Sequence, residues 1–367
     1  MLPVTSTSTP AAPRPLSISK RLAFASVAVL IFVVVAAAAL LAIDLYLHAK
    51  LHERGGYNRW GYRGVVLGAK RPHELRVAFL GGSTAFGYGV SWRETIPIYL
   101  EDLLRARLPG GRPVTVANLG FPNDGAYSLR FTLEDYRYLH ADIVCLYEGY
   151  NDLMADPDSP YVNVFRRASP VFRLTGYMPI FQVVFREKAS LLLYGDTNGI
   201  YQRARGEAVT AFKPNITSRA TAEALNAAVS ITDSLERQLG RLSKPTPTTV
   251  DHPETTGCEM PWAHYCRGVF EAVDYALAAG QRVVVIGQPY LLKEGRARHE
   301  WQQRTMSMTL ERRYAGNPNL HYVNTGPSVD IADPRYGYDG MHLTAAGNKI
   351  VASYLADPLL AVAASVP

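Results

Sequence analysis

Short, nearly continuous apolar runs alternate with longer stretches whose apolar residues recur every three to four positions, from Arg76 to the C-terminal region. The short runs are Val77 to Leu80, Val114 to Leu119, Asp142 to Tyr147, Arg282 to Gly287 and His321 to Asn324. Runs of this length without polar alternation predict strands buried on both faces. Between them, Ile96, Tyr99, Leu100, Leu103 and Leu104 mark one helix, stopped at Pro109-Gly110-Gly111, and Gly125 to Tyr138 a second. Thr221 to Leu242 predicts a long helix with Ala224, Leu225, Ala228, Ile231, Leu235 and Leu239 as its apolar face. Tyr265 to Ala279, Arg298 to Tyr314 and Leu343 to Leu360 predict three more. Strands separated by helices imply an α/β domain with a five-stranded parallel sheet covered on both faces, without an internal boundary in residues 71–367.

Two stretches depart from this rhythm. Ala23 to Ile43 carries no charge, and at about 1.5 Å per residue it can cross a hydrocarbon core of about 30 Å. Residues 1–21 therefore read as a disordered cytoplasmic tail, 22–46 as a transmembrane anchor and 47–70 as a Gly-rich connector containing N-R-W-G-Y-R-G. A cleaved signal peptide competes with the anchor, but the apolar stretch exceeds a usual signal core and lacks a clean cleavage box. Basic residues lie on both sides of the span, so charge alone sets no topology. The other departure, residues 153–216, interleaves aromatic, aliphatic and arginine side chains; it reads as an insertion packed on the domain or as an amphipathic lid near a bilayer.

The net charge of +6 is dispersed, with no basic run and no nucleic-acid motif, so a nucleic-acid partner is not expected. Cys258 and Cys266 lie in a polar, proline-containing stretch where either a disulfide or two free thiols would fit. With His264 they match no zinc pattern, and no metal or cofactor is expected. Cys145 sits inside an apolar run and reads as a core residue.

Candidate chemistry gathers where the apolar runs stop. Ser83 follows the first run across Gly81-Gly82, Gly120 ends the second, and Asn151 lies in E-G-Y-N-D after the third. In an open parallel sheet such positions converge beyond the carboxyl ends of the strands. Tyr338 to Leu343, Y-D-G-M-H-L, precedes the last helix; His342 can serve as base toward Ser83, with Asp339 fixing its tautomer. The N–H groups of Ser83 and Gly120 and the Asn151 amide could stabilise an oxyanion.

Four ordered blocks, L-G-G-S-T-A-F-G-Y-G, N-L-G, E-G-Y-N-D and D-G-M-H-L-T-A-A-G, resemble those of the SGNH, or GDSL-like, hydrolase superfamily. The resemblance implies a three-layer α/β/α, flavodoxin-like domain with Ser83, His342 and Asp339 as catalytic triad and Ser83, Gly120 and Asn151 as oxyanion donors. It also implies ester cleavage or transfer, commonly of acetyl or acyl groups on carbohydrates or lipids. The expectation is thus a membrane-anchored serine esterase or deacylase. Its expected partners are the lipid bilayer and an acylated glycan or lipid, and its catalytic domain would lie outside a bacterial cytoplasmic membrane. An O-acyltransferase using the same residues and a non-catalytic envelope scaffold or glycan-binding protein are the alternatives. Gly82 departs from the pattern, standing where many members carry the Asp of Gly-Asp-Ser.

Overall fold

The computed structural model describes residues 17–53, 56–153, 165–195, 212–241, 258 and 261–366. The expected tail through residue 16, and residues 154–164 and 196–211 of the expected insertion, lie outside the described residues. The chain divides into two compact units, Met1–Tyr46 and Leu47–Pro367. Helix α1, Ile18–Leu51, begins before the expected anchor boundary and runs past its end; it is long and apolar enough to cross a membrane.

In the second unit, β1 (Leu75–Gly81), β2 (Val114–Asn118), β3 (Ile143–Tyr147), β4 (Arg282–Gly287) and β5 (Leu320–Asn324) form one parallel sheet in the order β2-β1-β3-β4-β5. This is the flavodoxin-like order, whose crevice lies between β1 and β3. Every residue of β1, β2 and β3 is buried, as near-continuous apolar runs require. Register aligns the strand ends: Phe79 lies beside Asn118 and Cys145, and Gly81 beside Tyr147.

Alternate strand residues feed two cores. Ala78, Leu80, Ala117, Leu119, Val144, Leu146, Val283 and Val285 point to one, Val77, Phe79, Val116, Ile143, Cys145, Val284 and Ile286 to the other. A short helix α2, Ser83–Phe86, follows β1. Helix α3, Ile96–Arg107, packs on the C-terminal helix over the second core, while α4, Ser128–Asp135, lies over the first. Residues 165–194 supply α5 (Phe165–Ala168), α6 (Pro170–Thr175) and α7 (Phe181–Tyr194), and α8 is Ile216–Gly240. Then come α9 (Ala263–Ala278), α10 (Lys293–Arg313) and α11 (Ala345–Ala363).

Helix α8 departs from its predicted orientation. It lies along α7 and buries Ala222, Val229 and Thr232, leaving Ile231, Leu235 and Leu239 exposed among the described residues. Polar contacts lie along this face: Arg186 of α7 pairs with Asp233 at 2.6 Å, and Ser169 donates to Glu236 at 3.4 Å. Cys258 and Cys266 are joined, with Cα atoms 6.3 Å apart, and Cys145 is a buried free thiol whose pKa burial pushes up.

Candidate active site

The turn after β1 is possible only for glycine. Gly81 has φ +153°, and a Cβ there would run into the Tyr147 carbonyl oxygen of β3. Gly82 then caps α2, and Ser83 opens it at the carboxyl end of the sheet. Two residues outside the predicted site brace this turn. Arg63 of the connector, buried under the loop, donates through Nη1 to the Phe86 and Gly87 carbonyls at 2.5 Å each and lies over the Phe86 ring. Burial pushes its pKa down to about 10, so it stays charged at neutral pH. Gln288, just past β4, donates to Thr84 Oγ1 at 2.6 Å and accepts from the Tyr150 N–H at 2.7 Å, tying the serine turn to the Asn151 turn.

The loop before α11 brings the other two polar groups to Ser83. Thr344 caps α11 through Gly347 N–H at 3.2 Å, and an isolated bridge between Gly337 and Leu343 closes the loop upstream. Asp339 Oδ1 accepts the N–H groups of Met341 at 3.1 Å and His342 at 2.7 Å, a local turn that an aspartate favours. Its Oδ2 lies 2.6 Å from His342 Nδ1, and His342 Nε2 lies 2.7 Å from Ser83 Oγ. An ionised carboxylate can only accept, so Nδ1 carries the proton; in the neutral ring Nε2 then accepts from the Ser83 hydroxyl. Partial burial pushes the Asp339 carboxyl up, but the His342 backbone N–H and imidazole outweigh it and hold the group below its usual range.

The imidazole is walled by two tyrosines. Tyr338 stacks on it with 17° between planes and a centroid separation of 5.8 Å, and Tyr88 tilts against it at 5.1 Å. Tyr338 donates its hydroxyl to the Tyr88 carbonyl at 2.8 Å, clasping the two loops over His342.

The expected oxyanion donors fare differently. The Asn151 amide lies beside Gly82 and donates to the Asp124 carbonyl at 2.6 Å; that bond orients it and uses one of its two hydrogens. Gly120 reaches the site, where a Cβ would collide with Phe86 N, but its N–H donates to Asn118 Oδ1 at 3.1 Å. Its carbonyl and that of Leu119 accept from buried Arg166 of α5 at 3.2 and 2.6 Å, so α5 is pinned to the end of β2. Beneath these turns lie three buried carboxyls, Asp124, Glu148 and Asp152. Arg166 stands 3.9 Å from Asp124, and both oxygens of Asp152 accept from the Ala126 N–H, the nearer at 3.0 Å. Burial raises Asp152 to about 7 against that N–H. It raises Glu148 further, with Asp152 adding to the effect, the Gly149 N–H opposing, Asp124 adding and the Gly82 N–H opposing.

Among the described residues no group of three or more His, Cys, Asp or Glu is arranged to hold a metal ion. The fold and site together define an α/β domain with a Ser–His–Asp hydrogen-bonded chain at the carboxyl ends of a parallel sheet.

No protein-family model matches the chain, and no curated protein matches its sequence. Solved structures are similar to it at low identity. A lipolytic protein of the G-D-S-L family from Desulfitobacterium hafniense is 10% identical, with a TM-score of 0.40 over 78% of this chain and 99% of its own. A family 3 carbohydrate esterase from Clostridium thermocellum is 11% identical, with a TM-score of 0.37 over 80% and 100%. An acetylxylan esterase from Geobacillus stearothermophilus is 13% identical, with a TM-score of 0.35 over 77% and 92%.

Proposed function

We propose that this chain is a membrane-anchored serine esterase or deacylase of the SGNH type, acting on ester-linked acyl groups of a carbohydrate or lipid. The observation that carries the reading is the unbroken hydrogen-bonded chain from Asp339 through His342 to Ser83, placed where an open parallel sheet exposes its strand ends. Ser83 Oγ attacks the ester carbonyl while His342 Nε2 takes its proton, and Asp339 holds the imidazole in the accepting tautomer and steadies the imidazolium. The carbonyl oxygen, now negative, is met by the Ser83 N–H and the Asn151 amide, with Gly120 joining only if its N–H leaves Asn118. His342 then gives the proton to the leaving alcohol, and a water activated by the same imidazole releases the acid from Ser83. No step calls for a metal or cofactor.

Helix α1 supports an anchor, and the Cys258–Cys266 bond supports a domain on the oxidising side of a bacterial cytoplasmic membrane. The test is turnover of an activated ester by the full chain and by its Ser83→Ala form. Ser83→Ala is expected to lose about a thousandfold or more in kcat while melting like the wild type. Retained turnover would refute the reading.

A further inference from the structure

Gly82 leaves a space beside the serine, and the structure fills it. A Cβ at position 82 would collide with Asn151 Nδ2, approach the Asp124 carbonyl oxygen to 3.0 Å and come within 3.2 Å of Glu148 Oε2. The Glu148 carboxyl, 3% exposed, therefore lies against the Gly82 position of the serine turn, which the Asn151 amide also approaches. Its Oε1 accepts from the Gly149 N–H at 3.2 Å, while Oε2 finds no hydrogen bond of good geometry among the described residues. We propose that Glu148 is a positioning residue, its carboxyl wedged between the serine turn and the Asn151 turn so that the oxyanion-side donors keep their spacing. This rests on the serine-esterase reading.

The surroundings dictate the form in which Glu148 does this. Facing it are Asp152 from its own turn, Asp124 from the loop after β2 with its partner Arg166, Tyr147 from β3, and Tyr265 from α9, whose hydroxyl donates to the Glu148 carbonyl at 3.2 Å. On the remaining side stand Gly82 and, through Ser83, His342. Two of these neighbours are acidic, and Arg166 stands 3.9 Å from Asp124. Burial and Asp152 hold the Glu148 carboxyl well above the usual range, which favours its neutral form. When pH rises far enough to ionise it, a negative charge appears next to the place where the transition state also becomes negative, and the rate must fall.

The experiment is the pH dependence of kcat and KM for a soluble chromogenic ester, using the full chain in detergent as wild type, Glu148→Gln and Glu148→Ala, with a melting curve for each. The wild type is expected to lose kcat along an alkaline limb. Glu148→Gln, which cannot ionise, should lack that limb and lower kcat at pH 7 by about three- to tenfold, with KM changed by about twofold at most. Glu148→Ala should lower kcat by about a hundredfold, again without a matching rise in KM. An unaltered alkaline limb in Glu148→Gln, or a loss carried by KM, would overturn the role. If the glutamine form melts below the assay temperature the alanine form decides, because a kcat within about threefold of the wild type would overturn the role. Failure of wild-type turnover, or its survival in Ser83→Ala, would instead overturn the esterase reading, so the two failures are told apart.

Discussion

At the scale of single residues, function rests on which atoms are left to do work. Asp339 spends one oxygen on two backbone N–H groups and the other on His342, so it cannot swing away from the imidazole without breaking its own turn. Asp339→Asn presents an amide that can hold the wrong tautomer, and kcat is expected to fall by about a hundredfold to ten-thousandfold with KM nearly unchanged, as steady-state kinetics would show. Asn151→Ala removes a donor already oriented by the Asp124 carbonyl and should cost about a hundred- to thousandfold in kcat. The sequence displayed both residues because they stand in compact local blocks. Gln288 was invisible: a lone glutamine after a strand has no signature, and its two partners, Thr84 and Tyr150, lie in distant parts of the chain.

The elements show where periodicity is informative and where it fails. All five strands were legible within two residues: burial on both faces gives β1 to β4 their apolar runs, while β5, at the sheet edge and only partly buried, shows as the short stretch His321 to Asn324. The contact face of α8 was not, since an apolar stripe shows which side could be buried, whereas the side that packs on α7 carries Asp233 and Glu236, which meet Arg186 and Ser169. Helix α5 is held by two arginines, Arg167 pairing with Glu134 and Asp135 of α4 and Arg166 reaching the end of β2. Arg166 serves the carbonyls of Gly61, Leu119 and Gly120, and Arg166→Ala should destabilise the domain by about 2–4 kcal/mol in a denaturant titration. The turn after β3 makes stability depend on pH. Folded Asp152 holds its proton up to about pH 7, whereas in the unfolded chain it has released it near 4. The unfolded state thus binds fewer protons across that interval, and stability declines as pH rises through it. The melting temperature should fall between about pH 4 and 7, and Asp152→Asn should flatten the slope.

For the whole molecule, the chain joins a long apolar helix to an α/β domain, and the composition shows the helix because no other stretch is so long and uncharged. The full chain is expected to sediment with membranes and to be released by detergent but not by high salt. Protease added outside spheroplasts is expected to remove the domain. Product analysis with glycan acceptors distinguishes water from a sugar hydroxyl as acyl recipient, since both would use the same serine. What unites these levels is the claim that Ser83 carries the acyl group. Intact-mass and peptide mapping after reaction with a fluorophosphonate tests it most directly. The account predicts one adduct, on Ser83, absent in Ser83→Ala and slowed in His342→Ala; an active chain left unlabelled, or labelled elsewhere, would contradict it.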